Sequence, residues 1–325
     1  MMYLGNDLSK DYFDATLRQT DENKVHRRFD NNASGFGALQ AWLQKQGVTV
    51  LHACMEATNI YWEGLADFLH DKGYTVSVVN PARIKGFAIS QLRRNKTDKL
   101  DSEVIADFCA KMNPKVWTPP SVEQRKLRSL VRHRDAVQKT MTQQKNRLSS
   151  CNDSDVKASL QRMIQSLQDE QQHLEAQIEA FIKSQPALQK QQALLCSIKG
   201  IGPKTSTKLL AEMYDLADYS DAHAAAADAG LSPAHHESGT SVRRKPKLSK
   251  VGKSSVRGAL FWPAVTAIRH NPVVKRLAQR LEAKGKSPMV IIAAAMRKLV
   301  HLAFGVLKNQ TPFDPNWGAK PTPAT

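Results

Sequence analysis

The sequence predicts an α/β domain followed by a longer, mainly helical region. Three observations carry that reading. From residue 1 to about 112, strand-like alternation gives way repeatedly to helix-like spacing of apolar residues. Residues 121–184 are rich in Gln, Lys, Arg and Leu, with apolar residues near heptad spacing. Beyond Pro186, apolar helical stretches are separated by Gly and Pro turns. The chain has 325 residues, enough for two or three domains, and its 41% apolar content can fill their cores.

Residues 3–7 and 12–18 read as paired strands, and 25–29 as a third. Residues 35–44 carry Phe36, Leu39, Trp42 and Leu43 at helical spacing. A buried strand over 48–55, a helix over 61–70 and a strand over 74–79 follow, the last stopped by Asn80-Pro81. This order matches an RNase H-like sheet. A helix over 97–112 comes next, and Pro114, Pro119 and Pro120 mark a linker. The expected domains are 1–115, a helical hairpin over 116–185, and 186–325. In the hairpin, Val156, Leu160, Met163, Leu167, Leu174, Ile178 and Phe181 approximate a heptad seam, and the break is at 151–155. The seam suits a coiled coil used for assembly, or a plain helical spacer. The apolar helices over 256–268 and 289–307 read as core, and the tail over 312–325 as frayed.

Four acids stand out. Asp7 closes the first strand and Glu56 follows the buried strand over 48–55. Asp98 and Asp101, three apart, share a helical face. An oxygen-only set of this kind suits Mg²⁺ or Mn²⁺, not zinc. Two such ions can stabilise the attacking and leaving oxygens of a phosphodiester. Glu103 and Asp107 read as surface or ion-pair residues.

The net charge of +17 points to a polyanion, and nucleic acid suits it better than a membrane surface. Arg93, Arg94 and Lys96 precede the acidic pair, where they can touch a nucleic-acid backbone or simply form a charged loop. The turn with Gly200, Gly202, Lys204 and Thr205 resembles a helix-hairpin-helix element, whose backbone N–H groups can approach phosphate; the same turn can also join core helices. A run of Arg243, Arg244, Lys245, Lys247, Lys250, Lys253 and Arg257 holds no acid and reads as a phosphate-binding loop.

The segments Gly5-Asn6-Asp7, Glu56-Ala57-Thr58 and Asn95-Lys96-Thr97-Asp98-Lys99-Leu100-Asp101 resemble the DEDD catalytic domain of the Piv/MooV and IS-one-ten group of transposases and recombinases. In the same order, Gly200-Ile201-Gly202-Pro203-Lys204-Thr205, Gly230-Leu231-Ser232-Pro233, Glu237-Ser238-Gly239 and Leu248-Ser249-Lys250-Val251-Gly252 resemble its second block. Each motif is weak alone; the ordered set spans nearly the whole chain. The resemblance implies a first domain like that of the RuvC Holliday-junction resolvases and a C-terminal transposase domain with a serine nucleophile. Ser238 is the matching serine, with Ser241 and Ser232 as rivals. It further implies action on double-stranded donor and target DNA, a structured non-coding bridge RNA as guide in the insertion-sequence branch, and assembly as a dimer or tetramer. Two departures occur: Asn6 replaces a common apolar residue, and Asn59 stands where Gly commonly follows Glu-Ala-Thr.

Other readings remain open: an unguided invertase, a resolvase that hydrolyses junctions with water, or a binding factor with a dead nuclease fold. The start of the chain lacks the pattern of a signal peptide, and no uninterrupted apolar run approaches a membrane span. Cys54, Cys109, Cys151 and Cys196 are scattered and read as reduced thiols, and His235-His236 lacks cysteine partners for zinc. A cytoplasmic protein associated with the nucleoid is expected.

Overall fold

Strand alternation in the first hundred residues builds one five-stranded sheet. In the computed structural model, β1 (Met2–Leu8), β2 (Tyr12–Arg18) and β3 (Lys24–Asp30) form an antiparallel meander. Helix α1 (Ala33–Lys45) leads to β4 (Leu51–Glu56), and α2 (Glu63–Asp71) to β5 (Thr75–Val79). The order is β3-β2-β1-β4-β5, with β1–β4 and β4–β5 parallel. The structure describes residues 1–91, 98–238 and 242–316, with 235–238 and 242–246 described through their backbone alone. It divides into two units, Met1–Pro119 and Pro120–Thr325.

The period of two sorts β1 and β4 between two cores. Leu4, Ala53 and Met55 face α1 and α2. Tyr3 and Cys54 face α3 (Pro81–Ser90) and α4 (Asp98–Met112). The Asn80-Pro81 pair, expected only to stop β5, also starts α3: Asn80 caps Ala82 N–H and Pro81 takes the first turn. Residues 114–117 stay with this unit: Trp117 N–H donates to Val76 O at 2.8 Å, and its ring meets Trp62 edge-on.

In the second unit, α5 (Val122–Ser150) and α6 (Ser154–Lys183) form a helical hairpin. Asp153 caps α6 at the predicted break, and Ser121 and Gln124 form a capping box on α5. The inward line of α6 is Leu160, Ile164, Leu174, Ile178 and Ile182. Val156 and Met163 of the expected seam are each 45% exposed, because helical drift moves a strict heptad off the contact. At the base of the hairpin, Leu127, Val131, Ile178 and Ile182 join the core of the following helices. An ion network with Lys208 and Glu212 buried at its centre and Arg132 and Asp135 partly exposed fixes α5 on α8 (Pro203–Glu212). Arg132 reaches Glu212 Oε2 at 2.9 Å, and Lys208 Nζ lies 2.6 Å from Asp135 and 3.2 Å from Glu212.

Helix α7 (Pro186–Cys196) precedes the Gly-x-Gly turn, and α9 (Ala222–Asp228) precedes a two-stranded sheet of β6 (Pro233–Ser238) and β7 (Val242–Leu248). The basic run expected as a loop is therefore in part a strand: Arg243, Arg244, Lys245 and Lys247 lie in β7, paired antiparallel with β6. The reading missed it because charge says nothing of pairing, which is non-local.

The expected helix over 256–268 is two, α10 (Ser254–Ala259) and α11 (Phe261–His270), and α12 (Pro272–Glu282) follows. The last helix, α13 (Pro288–Asn309), buries Ala295, Leu299, Val300, Ala303 and Val306, but Met289 is 63% and Val290 45% exposed. Its first turn is thus not core. Among the described residues α13 alone is long and apolar enough to cross a membrane, by length and composition only. Arg297 and Lys298 interrupt its apolar sequence.

Candidate active site

Sheet register and one helix bring the predicted acids to a common end of the first unit. Asp7 and Glu56 each follow the last aligned pair, Asn6 with Met55, of two adjacent parallel strands. Alternation turns both toward α4: Asp7 is two residues beyond Gly5, and Glu56 two beyond Cys54. Gly5 lies directly under α4, where a Cβ would collide with the Ser102 carbonyl oxygen and the Ala106 nitrogen. Thr16 Oγ1 and Ser102 Oγ, 2.8 Å apart and buried, tie the same turn of α4 to β2.

Helix α4 runs antiparallel to β1 and β4. Its Cys109 Sγ meets His52 O near the start of β4 at 3.6 Å, while Asp98 and Asp101 stand in its first turn. There they also favour the helix dipole. Asp7 and Glu56 are half-buried, and the Asp98 side chain is 51% exposed. Glu103 and Asp107 face the other end of the sheet, in ion pairs with Lys24 at 2.9 and 2.8 Å.

A row across the sheet extends the acids in a way the sequence reading missed. Asp7 pairs with Asp14 of β2, and Asp14 pairs with Arg28 of β3. Asp14 is 1% exposed and accepts from Arg28 Nε at 3.0 Å, with His26 Nε2 2.7 Å away. Arg28 Nη2 also reaches Asp98 Oδ2 at 3.2 Å, and its guanidinium lies 4.2 Å from the Tyr12 ring centroid. The Asp14 hydrogen bond raises the Arg28 pKa above its ordinary value. An acid and a base in phase on antiparallel neighbours were the available signal, but reading it requires the register.

The donor chemistry fits a hard divalent cation: carboxylate oxygens from two strand ends and one helix turn. As the side chains stand, no three His, Cys, Asp or Glu residues among those described close on one point at ligand spacing. Asp98 is instead drawn to Arg28. The Asn59 departure has a local cause, since its φ is +53°, a left-handed conformation that Gly and Asn tolerate best. Asn6 is fully buried and donates to Cys54 O at 3.3 Å.

In the second unit, Ser238 is the last residue of β6, opposite Val242. Its rival Ser232 lies at the base of the hairpin, where its carbonyl accepts from Ser249 N–H at 2.9 Å. Ser241, Arg93, Arg94 and Lys96 lie outside the described residues. Of the basic run, Lys253 pairs with Asp228 at 2.7 Å and Arg257 donates to Lys250 O at 3.3 Å, so both brace the hairpin base. Burial and the nearby Asp228 push the Tyr219 hydroxyl up, and it donates to Asp228 Oδ2 at 2.6 Å. Lys247 and Lys250 are exposed. Gly200, at φ +108°, lets its turn pack on α11, where a Cβ would press on Ala267. Gly202 begins α8 in the open, Thr205 is half-buried, and Lys204 pairs with Glu175 at 2.7 Å.

Charge separates the two units. Residues 1–119 hold 15 basic and 14 acidic residues, and residues 120–325 hold 32 and 16, so nearly all of the +17 belongs to the second.

Comparison with known proteins shows the family. Residues 4–154 match the DEDD family of IS110 elements described as "Transposase", and residues 192–279 match the "Transposase IS116/IS110/IS902 family". The pilin gene-inverting proteins of Moraxella bovis and Moraxella lacunata are each 35% identical to this chain, covering 96% of it and 97% of their own length. An insertion element IS110 protein of Streptomyces coelicolor is 26% identical over 47% of this chain and 36% of its own.

Proposed function

The chain belongs to the IS110 family of transposases and pilin gene-inverting recombinases, and from that premise we propose a DNA strand transfer shared between the sheet acids and a serine. It is a DNA transposase or recombinase. The observation that carries the proposal is the common end of the first unit: Asp7 and Glu56 on adjacent strand ends, facing the helix turn of Asp98 and Asp101. This supports a RuvC-like reading of the first unit.

Asp7, Glu56, Asp98 and Asp101 are the residues to hold Mg²⁺ or Mn²⁺, which when bound supplies charge neutralisation at the phosphodiester oxygens. Ser238 Oγ gives up its proton and attacks the phosphorus. A P–O bond to the serine forms as the P–O bond to one deoxyribose oxygen breaks, and that oxygen takes a proton and leaves as a hydroxyl. The number of phosphodiester bonds is conserved, so rejoining to another strand needs no ATP. The exposed Lys247 and Lys250, with Arg243, Arg244 and Lys245 of β7, hold the backbone. Arg93, Arg94, Lys96 and the α7–α8 turn with Gly200, Gly202, Lys204 and Thr205 add backbone contacts.

The second unit is read as two parts, an assembly hairpin over 116–185 and a transposase domain over 186–325. A dimer, and a tetramer when two DNA segments are joined, suits a reaction that cuts several strands. A structured bridge RNA pairs with donor and target DNA, leaving the protein to read shape and backbone. The reaction belongs in the cytoplasm, at the nucleoid. A second reading is unguided DNA inversion; that the reaction is inversion is favoured by the two pilin gene-inverting relatives that align over nearly the whole chain.

Purification from cells carrying the gene in its native flanking DNA, with sequencing of bound RNA, tests the guided reading. One abundant RNA mapping beside the gene supports it. Random cellular RNA on intact protein favours unguided inversion. Cleavage retained by Ser238→Ala would instead mean hydrolysis by water, as in a resolvase.

A further inference from the structure

Arg28 is held from two sides by groups that do not depend on nucleic acid. Asp14, nearly fully buried, accepts from its Nε at 3.0 Å and pairs with its Nη2 at 2.8 Å, and the guanidinium lies 4.2 Å from the Tyr12 ring centroid. Burial makes the Asp14 pair costly to break, because Asp14 would be left in the sheet core with only His26, 2.7 Å from its other oxygen. The same Nη2 reaches Asp98 Oδ2 at 3.2 Å, where both side chains are about half exposed. A solvated pair of that kind contributes little. The anchored partner is therefore Arg28, and the group able to change partner is Asp98.

We propose that Arg28 is a positioning residue that draws the Asp98 carboxylate toward β3, so that a divalent cation must compete with the guanidinium for it. The inference rests on the carboxylate-site reading above. It concerns which of the acids is last to join: Asp7 and Glu56 are set by strands, whereas Asp98 exchanges one positive partner for another. The weak link lets the exchange occur at modest cation concentration. The strong link keeps Arg28 beside the site, ready to take Asp98 back.

The test is Mn²⁺ binding to the full-length protein without nucleic acid, read from the loss of the free-ion signal in electron paramagnetic resonance. Arg28→Gln removes the link, and Arg28→Lys keeps the charge but not the fork that spans two carboxylates. Both should bind Mn²⁺ more tightly than the parent, by roughly two- to five-fold, the factor that the loss of one weak solvated ion pair allows. In an Asp98→Asn background the Arg28 substitutions should have no further effect, which separates pairing from general charge repulsion. Thermal melts identify folded variants; if Arg28→Gln is lost to misfolding, Arg28→Lys alone decides. Asp7-dependent binding that is unchanged by Arg28→Lys overturns this inference and leaves the carboxylate site standing. Tightening that persists in Asp98→Asn overturns it too. Binding indifferent to Asp7→Asn overturns the site reading, and the inference with it.

Discussion

Asp7 and Glu56 end central strands of a five-stranded sheet, whereas Ser238 ends one strand of a two-stranded hairpin. The first arrangement is fixed on all sides. β1 is paired on both edges, and α4 rests directly on Gly5. A two-stranded sheet is marginal by itself, and this one is braced at its base by Asp228, Lys253, Arg257 and the Ser232–Ser249 bond. The units also differ in charge: nearly balanced in the first, strongly basic in the second. Carboxylates built for cation chemistry sit best in a rigid frame, where their spacing survives without a ligand. Groups that grip a polyanion depend less on exact spacing, because phosphate contacts are made by long side chains over an extended path.

The sharpest break would come at the two proposed chemical groups. Asp7→Ala and Ser238→Ala should each abolish strand cleavage, by at least about a thousand-fold in a plasmid recombination assay, the scale of losing a group that acts in the transition state. Mixing the two inactive proteins tests whether one subunit's serine works with another's acids. Recovered cleavage supports that sharing, and its absence in assembled mixtures argues for sites complete within one chain.

Next in size is the brace inside the second unit. Burial pushes the Glu212 carboxyl up, but the Arg132 hydrogen bond and the charges of Lys208 and Arg132 outweigh it and hold the pKa at about 2. Glu212→Ala should cost about 3–5 kcal/mol by leaving Lys208 buried with one fewer anion. Because the folded pKa lies below the ordinary carboxylate value, that stability is present above about pH 4.5 and drains away toward pH 2. Urea melts followed by circular dichroism at pH 6 and pH 3 check both. Equal wild-type stability at the two pH values would weaken the account.

Gly5→Ala tests the frame of the first unit. The added methyl meets α4 backbone, which cannot give way as a flexible side chain could. A loss of about 1–3 kcal/mol is expected, with cleavage reduced further as the Asp98–Asp101 turn lifts away from Asp7. An unchanged melting temperature would mean that α4 does not bear on β1 as described.

The smallest effects belong to exposed lysines. Lys247→Ala and Lys250→Ala should each lower the slope of log affinity for DNA against log salt by about one. Lys24→Ala, whose ammonium is committed to Glu103 and Asp107, should leave the slope alone and lower stability. If Lys24→Ala changes the slope as much as Lys250→Ala does, the division of charge between the units is not a division of DNA contact.

By itself the sequence determined the order of strands and helices in the first unit apart from α3, the break in the helical hairpin, and the resemblance on which the family assignment converged. These are local matters of period, caps and ordered motifs. The left-handed Asn59 was legible as a residue standing where Gly is common. Tertiary structure decided the rest, because pairing and packing join residues far apart in the chain. Sheet order set Asp7 beside Glu56 and added Asp14 and Arg28 to their row. Helix contact made Gly5 and Gly200 matters of close approach. Antiparallel pairing turned part of the basic run into β7, and burial chose Ile164 and Ile182 over Val156 and Met163 on α6. A one-dimensional pattern tells which face a residue shares, but what lies against that face is decided only when the chain closes on itself.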